Sequence, residues 1–169
     1  GPFLGFWAGF EAATRMGVRA VPGGGLSSED RLRLLKRSGS TILCCTPTYA
    51  LRLAEVGAKV DLPVDSLGVE KVITCGEPGG SIPEVRSRIE AAWKARVFDH
   101  HGMTEIGPVS VSDAEHPNLL RLRHEAYFCE VIAPESGTAV AGGETGELVL
   151  TTLGRHGSPL LRYRTGDLV

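Results

Sequence analysis

Lysine is scarce in this chain: Lys36, Lys59, Lys71 and Lys94 are the only four among 169 residues. Arginine supplies the remainder of the 18 basic residues, which are interspersed among 20 acidic ones for a formal charge of −2, and no basic stripe forms. That balance excludes the electrostatic footprint of a nucleic-acid binder. No run approaches the ~20 apolar residues that a bilayer span requires, and the first residues lack the charged start of a signal peptide. We therefore expect a soluble, cytoplasmic protein with neither a membrane nor a nucleic acid as partner. Cysteine occurs at 44, 45, 75 and 129 without a Cys-x-x-Cys pair, and the looser set Asp113, His116, His124 and Cys129 matches no closed zinc pattern. Reduced, buried thiols are the expectation. Glycine is plentiful, yet Gly23-Gly24-Gly25 is not followed by the Gly-Lys-Ser/Thr of a Walker phosphate loop.

What is present is alternation. Val18–Val21 reads as a short strand stopped by Pro22 and the glycines, after which Ser27 or Ser28 can cap a helix with Leu32, Leu34 and Leu35 on one side. The unit recurs: Thr41–Cys45 leads to Pro47 and a helix, Val72–Cys75 to Gly76-Glu77-Pro78 and a helix over Ile82–Trp93, and Arg96–Asp99 to His101-Gly102-Met103-Thr104-Glu105. Such a pattern predicts an α/β fold, a parallel sheet covered by helices on both faces, with ligands at the carboxyl ends of the strands. Beyond residue 107 the chain turns to short strands near Val109–Ser112, Leu120–Arg123, Tyr127–Ile132, Glu147–Thr152 and Leu160–Tyr163, separated by glycine-rich turns. We read residues 1–107 as the α/β part and 108–169 as a β-rich, antiparallel or barrel-like part of the same domain.

Two segments carry the chemistry. His101-Gly102-Met103-Thr104-Glu105 and Arg164-Thr165-Gly166-Asp167 each join a glycine, a threonine hydroxyl and a carboxylate within a few residues. These are the groups a chain needs to approach a nucleotide, bond its phosphate and hold a cation or a ribose. With Thr46-Pro47-Thr48-Tyr49-Ala50-Leu51, Cys75-Gly76-Glu77-Pro78, Gly146-Glu147-Leu148-Val149-Leu150-Thr151-Thr152 and Pro159-Leu160-Leu161-Arg162-Tyr163, they stand in the order found in the adenylate-forming superfamily. Within it the chain most resembles phenylacetate-CoA ligases, from about Gly5 to Val169.

The resemblance implies ATP-dependent activation of a carboxylic acid to an acyl-AMP, with Mg²⁺, and transfer of the acyl group to coenzyme A. It implies that Thr104 contacts the α-phosphate, that Glu105 shares the Mg²⁺ shell and that Asp167 accepts the ribose hydroxyls. Gly76, Glu77 and Pro78 form the loop between adenine and acyl pocket, with Glu77 orienting local backbone. His101 stands where the family usually carries a tyrosine against the adenine, and Gly102 and Met103 complete that segment. His100 is read as structural. Phe3, Leu4, Phe6, Trp7 and Phe10 would form an apolar wall for an aromatic acid. Family members also have a phosphate loop upstream and a lysine-bearing domain downstream, so this chain looks like the middle of an enzyme and is expected to be inactive alone. Transfer to a carrier-protein thiol and a catalytically silent nucleotide-binding domain are the alternatives; a homodimer is left open.

Overall fold

The computed structural model describes residues 4–113 and 115–169, and the chain divides into two compact units, Gly1–Arg121 and Leu122–Val169. The first opens with helix α1 (Leu4–Arg15). Helix α2 (Ser28–Ser38) starts where the sequence predicts: Ser27 is its cap, its side chain accepting the Asp30 N–H. Glu29 and Asp30 in the first turn and Lys36 and Arg37 in the last complement the helix dipole, and Gly39 closes the helix at φ +58°. Strand β1 (Ile42–Cys45) runs into helix α3 (Pro47–Lys59), capped by Thr46 with Pro47 in the first turn. Strand β2 (Lys71–Thr74) leads through a loop to helix α4 (Pro83–Trp93), which is followed by β3 (Arg96–Met103) and β4 (Gly107–Ser112).

The sheet order is β1-β2-β3-β4-β5, where β5 is Leu120–Leu122. The first three strands are parallel, with Cys45, Thr74 and Asp99 in register, and β4 returns antiparallel to β3. Period-two alternation decides which face is covered. Cys45, Val72 and Val97 point to one side and join Leu32, Ala50, Leu53, Ile89 and Trp93 in a single core. Trp93 is held there by its Nε1–H, which donates to the Ala50 carbonyl at 3.0 Å. On the other side Ile42, Cys44, Lys71 and Arg96 are exposed, with Ile73 and Phe98 half-buried. Helices thus flank the sheet as expected, but among the described residues they cover one face and not two.

The second unit is a three-stranded antiparallel sheet, β6 (Tyr127–Ile132), β7 (Glu147–Thr152) and β8 (Tyr163–Leu168), with β7 in the centre. Leu148, Val149 and Leu150 are its most deeply buried residues, with Tyr127 and Ile132 also buried beside them.

Three local expectations need correction. Val18–Val21 is not a strand; Val18 and Val21 are exposed, and apolar character without a neighbouring strand leaves no ladder to join. The last strand begins at Tyr163 and not at Leu160, because Arg162 lies at φ +48° and interrupts extended backbone. There the Thr151 and Thr152 hydroxyls take the Arg162 and Leu160 N–H groups in place of a ladder. The cysteines are all free, but only Cys45 is buried: Cys44 is exposed, and Cys75 and Cys129 are half-buried. The antiparallel pairing that begins at Gly107 lies inside the first sheet, since β4 pairs with β3, and the compact units part at Arg121.

Candidate functional site

In the first unit the singled-out residues stand at one end of the parallel strands. Thr46 follows β1, the Cys75–Ile82 loop follows β2, and the Thr104–Glu105 turn follows β3. Strand β3 is longer than its sequence indicates: His101, Gly102 and Met103 are still strand, and only Thr104, Glu105 and Ile106 form the turn into β4. A register shift at His101/Gly102 sharpens the hairpin. Gly102 is dictated by space, since a Cβ there would sit 2.8 Å from the Gly107 carbonyl oxygen. Ile106 is buried and pins the turn, while Thr104 and Glu105 are exposed. His101 is half-buried opposite Ser110, and His100 shares a hydrogen bond through Nδ1 with the Ser110 carbonyl at 2.9 Å.

The Gly76-Glu77-Pro78 loop is held from both sides. Gly76 adopts φ +92°, a conformation that side-chain-bearing residues rarely reach. Glu77 accepts the Thr48 N–H at 2.7 Å, at the start of α3, and the Thr48 hydrogen bonds hold its carboxyl below the usual carboxylate range. It thereby braces local backbone. On the far side, Ser81 donates to Asp99 Oδ2 at 2.7 Å and Thr74 donates to Asp99 Oδ1 at 2.8 Å.

Other candidates are engaged elsewhere. Asp113 accepts the N–H groups of Glu115 and His116, both at 2.9 Å, which makes it a turn residue. No group of three potential metal-ligating side chains converges among the described residues. Burial pushes the Cys45 thiol up to about 12. The Cys75 thiol is raised as well, chiefly by its hydrogen bond with Cys44. Trp7 and Phe10 meet edge to face on α1, 5.7 Å apart, and Trp7 is 56% exposed. Phe3 lies outside the described residues.

The second unit carries Arg164-Thr165-Gly166-Asp167 within β8 as a strand irregularity and not as a loop. Gly166 has φ +78°, and its N–H donates to Glu147 Oε1 at 3.2 Å. Thr165 Oγ1 donates to the Leu148 carbonyl and accepts the Asp167 N–H. Arg164 donates to Glu147 Oε2 and, at 2.8 Å, to the Pro134 carbonyl. Glu147 is 6% exposed, and the guanidinium beside it holds its carboxyl below the usual range. Asp167 is exposed. Sequence reasoning quoted Glu147 and Arg164 without giving them this role, and it named Asp99 only as the end of a strand. A carboxylate at the inward parity of an apolar strand, two after Val97, was the available signal.

This arrangement can be set beside known proteins. Over 98% of its length the chain is 32% identical to the phenylacetate-coenzyme A ligase of Thermus thermophilus. It is 30% identical to that of Pseudomonas putida over 99%. The chain is homologous to phenylacetate-CoA ligases. It spans 36% and 38% of the lengths of these two relatives. A crystal structure of 2-hydroxyisobutyryl-CoA ligase with 2-HIB-AMP and CoA superposes with a TM-score of 0.91 at 29% identity, covering 98% of this chain and 40% of the other. A long-chain-fatty-acid-CoA ligase from Archaeoglobus fulgidus, 17% identical with a TM-score of 0.62, shares the fold. The chain therefore has part of the adenylate-forming enzyme fold. No protein-family model matches it.

Proposed function

We propose that the chain is part of an enzyme that uses ATP to turn a carboxylic acid into an acyl-adenylate and then passes the acyl group to the thiol of coenzyme A. The observation that carries this reading is homology to phenylacetate-CoA ligases along nearly the whole chain. The local geometry fits the chemistry. In the first step an acid oxygen bonds to the α-phosphorus while the bond from that phosphorus to pyrophosphate breaks, so negative charges must be held together and donors supplied.

Thr104 and Glu105, exposed on a turn that buried Ile106 fixes, are suited to the α-phosphate and to a cation. Glu105 would hold Mg²⁺. One carboxylate with phosphate oxygens and water is a normal shell for that ion, which supplies charge neutralisation when bound. His101, Gly102 and Met103 with Gly76, Glu77 and Pro78 are assigned to the adenine, and Asp167 to the ribose hydroxyls, for which a carboxylate has paired acceptors. Four free cysteines suit a reducing compartment such as the cytoplasm. No described helix is long and apolar enough to cross a membrane.

An aryl or arylacetic acid is the favoured substrate, from the name of the relatives and the aromatic side chains of α1. A small 2-hydroxy acid is the second reading, favoured by the likeness to 2-hydroxyisobutyryl-CoA ligase. Hydroxamate trapping with the longer enzyme, offered phenylacetate, 2-hydroxyisobutyrate and α-amino acids, decides between them. Phenylacetate is expected to give the strongest signal, with AMP released when coenzyme A is added. Turnover of amino acids alone would sink the reading and favour a carrier-protein acceptor. The 169 residues by themselves, which span 36% and 38% of the two relatives, are expected to release no AMP.

A further inference from the structure

We propose that Cys44 and Cys75 form a reversible disulfide that displaces the Gly76–Pro78 loop and so weakens nucleotide binding when the surrounding thiol pool is oxidised. The effect on nucleotide rests on the function proposed above and adds a control to it. Cys44 stands on β1 opposite Ile73 of β2, and Cys75 comes two residues after Ile73, just past the end of that strand. Its N–H donates to the Cys45 carbonyl at 3.2 Å, which carries the pairing of the two strands one residue further. Period-two alternation therefore turns Cys44 and Cys75 to the same side of the sheet, the side away from the core that Cys45 joins. The two thiols share a hydrogen bond there, and Cys44 is the exposed one of the four cysteines.

The pair divides the chemistry between its members. The Cys75 thiol donates to the Cys44 sulfur, which favours the Cys44 thiolate and keeps Cys75 protonated. With a small-molecule disulfide such as oxidised glutathione as oxidant, the Cys44 thiolate attacks one of its sulfurs. A bond from Cys44 to that sulfur forms, the oxidant's S–S bond breaks and one glutathione leaves. Cys75 then gives up its proton, attacks the Cys44 sulfur and expels the second glutathione. Two protein thiols are oxidised, one disulfide is reduced to two thiols, and the cysteine protons end on those thiols. A covalent S–S bond is shorter than a thiol–thiol hydrogen bond, so closing it draws Cys75 towards β1. The next residue is Gly76 at φ +92°, and Glu77 beyond it is fastened to Thr48 at the start of α3. Backbone between a moved Cys75 and a pinned Glu77 takes the displacement, and that backbone is part of the loop assigned to the adenine.

The test compares the longer enzyme treated with oxidised glutathione with the same enzyme reduced by dithiothreitol. After free thiols are blocked, peptide mass spectra of the oxidised form should show Cys44 and Cys75 joined, with two hydrogens lost. The KM for ATP in ATP–pyrophosphate exchange, with the best acid saturating, should rise about tenfold, the scale of a displaced binding contact, and return on reduction. Cys44→Ser and Cys44→Ala, both at an exposed position, should keep the KM of the reduced enzyme and lose the response to oxidant. Absence of the Cys44–Cys75 bond, a glutathione that stays on Cys44, or a Cys44→Ser enzyme as sensitive as wild type would overturn the inference. A bond that forms in an active enzyme without changing the KM would also overturn it and leave the proposed function standing. A reduced wild type with no exchange for any acid would overturn both.

Discussion

The two units hold their candidate residues by different means. In the first, Thr104 and Glu105 stand on a turn beyond the end of a strand, and the loop next to them is braced by a buried carboxylate whose partners are hydroxyls. In the second, Asp167 sits within a strand at a bulge, and the brace is an ion pair between buried Glu147 and half-exposed Arg164. The comparison teaches that each unit sets an exposed candidate residue near a buried, hydrogen-bonded carboxylate, whatever the surrounding architecture. Chemistry and stability should then separate in both units, if the exposed carboxylates touch ligand as proposed and the buried ones hold shape.

The largest effect expected from that separation is on activity. Glu105→Gln and Asp167→Asn should each cut ATP–pyrophosphate exchange in the longer enzyme by about two orders of magnitude or more, the scale of one lost electrostatic or positioning contact. Their melting temperatures should stay near the wild-type value, because both side chains are on exposed residues. Exchange at the wild-type rate in both variants would remove the site assignment, and a large loss of stability in either would break the comparison.

How much of this was legible in the sequence differs between the units for a physical reason. Helix starts at Ser27 and at Thr46-Pro47 were readable, because capping is a local matter of a few residues. The parallel strands were readable from apolar runs. The hydrogen bonds of Asp99 were not, since its partners Thr74, Ser81 and Ser112 come together only through register across three strands. Likewise the start of β8 depends on Arg162 at positive φ, which no propensity of arginine announces. Thr104, Glu105 and Asp167 could be picked out by residue type and resemblance, whereas Glu147 and Arg164 acquire their meaning from being opposite one another in the sheet.

A middle-sized effect sharpens the comparison by glycine. Gly80→Ala drives a Cβ into Thr74 and Asp99 in the first unit, and Gly146→Ala drives one to 2.7 Å from the Ile132 carbonyl oxygen in the second. Each should cost roughly 1–3 kcal/mol, the range of overpacking, while Gly154→Ala, with open space around it, should stay within about 0.5 kcal/mol. Both tryptophans, Trp7 and Trp93, belong to the first unit. Tryptophan fluorescence therefore follows that unit, and Gly80→Ala should lower its midpoint directly. An unchanged midpoint in both crowded variants would show that the close approaches relax at no cost.

The smallest effect is in acid. Glu147 is held below its ordinary value of 4.5 by Arg164, and Glu77 is held below the same value by Thr48. A group whose pKa is depressed in the folded state contributes stability at pH above its unfolded value, and that contribution fades as pH falls through the folded value. Both units should accordingly lose stability below about pH 4.5. Glu147→Gln abolishes the titration that Arg164 biases, so far-UV circular dichroism melts should show a shallower fall in midpoint between about pH 6 and pH 3.5 than wild type. Glu77→Gln should flatten the fluorescence-detected fall in the same window by less, because its carboxylate is partly solvated and its partners are a backbone N–H and hydroxyls, with no guanidinium among them. A Glu147→Gln variant whose midpoint falls as steeply as wild type would mean that the ion pair adds nothing beyond what water gives the separated charges. The second unit's brace would then be one of shape alone, like the hydroxyl network of the first.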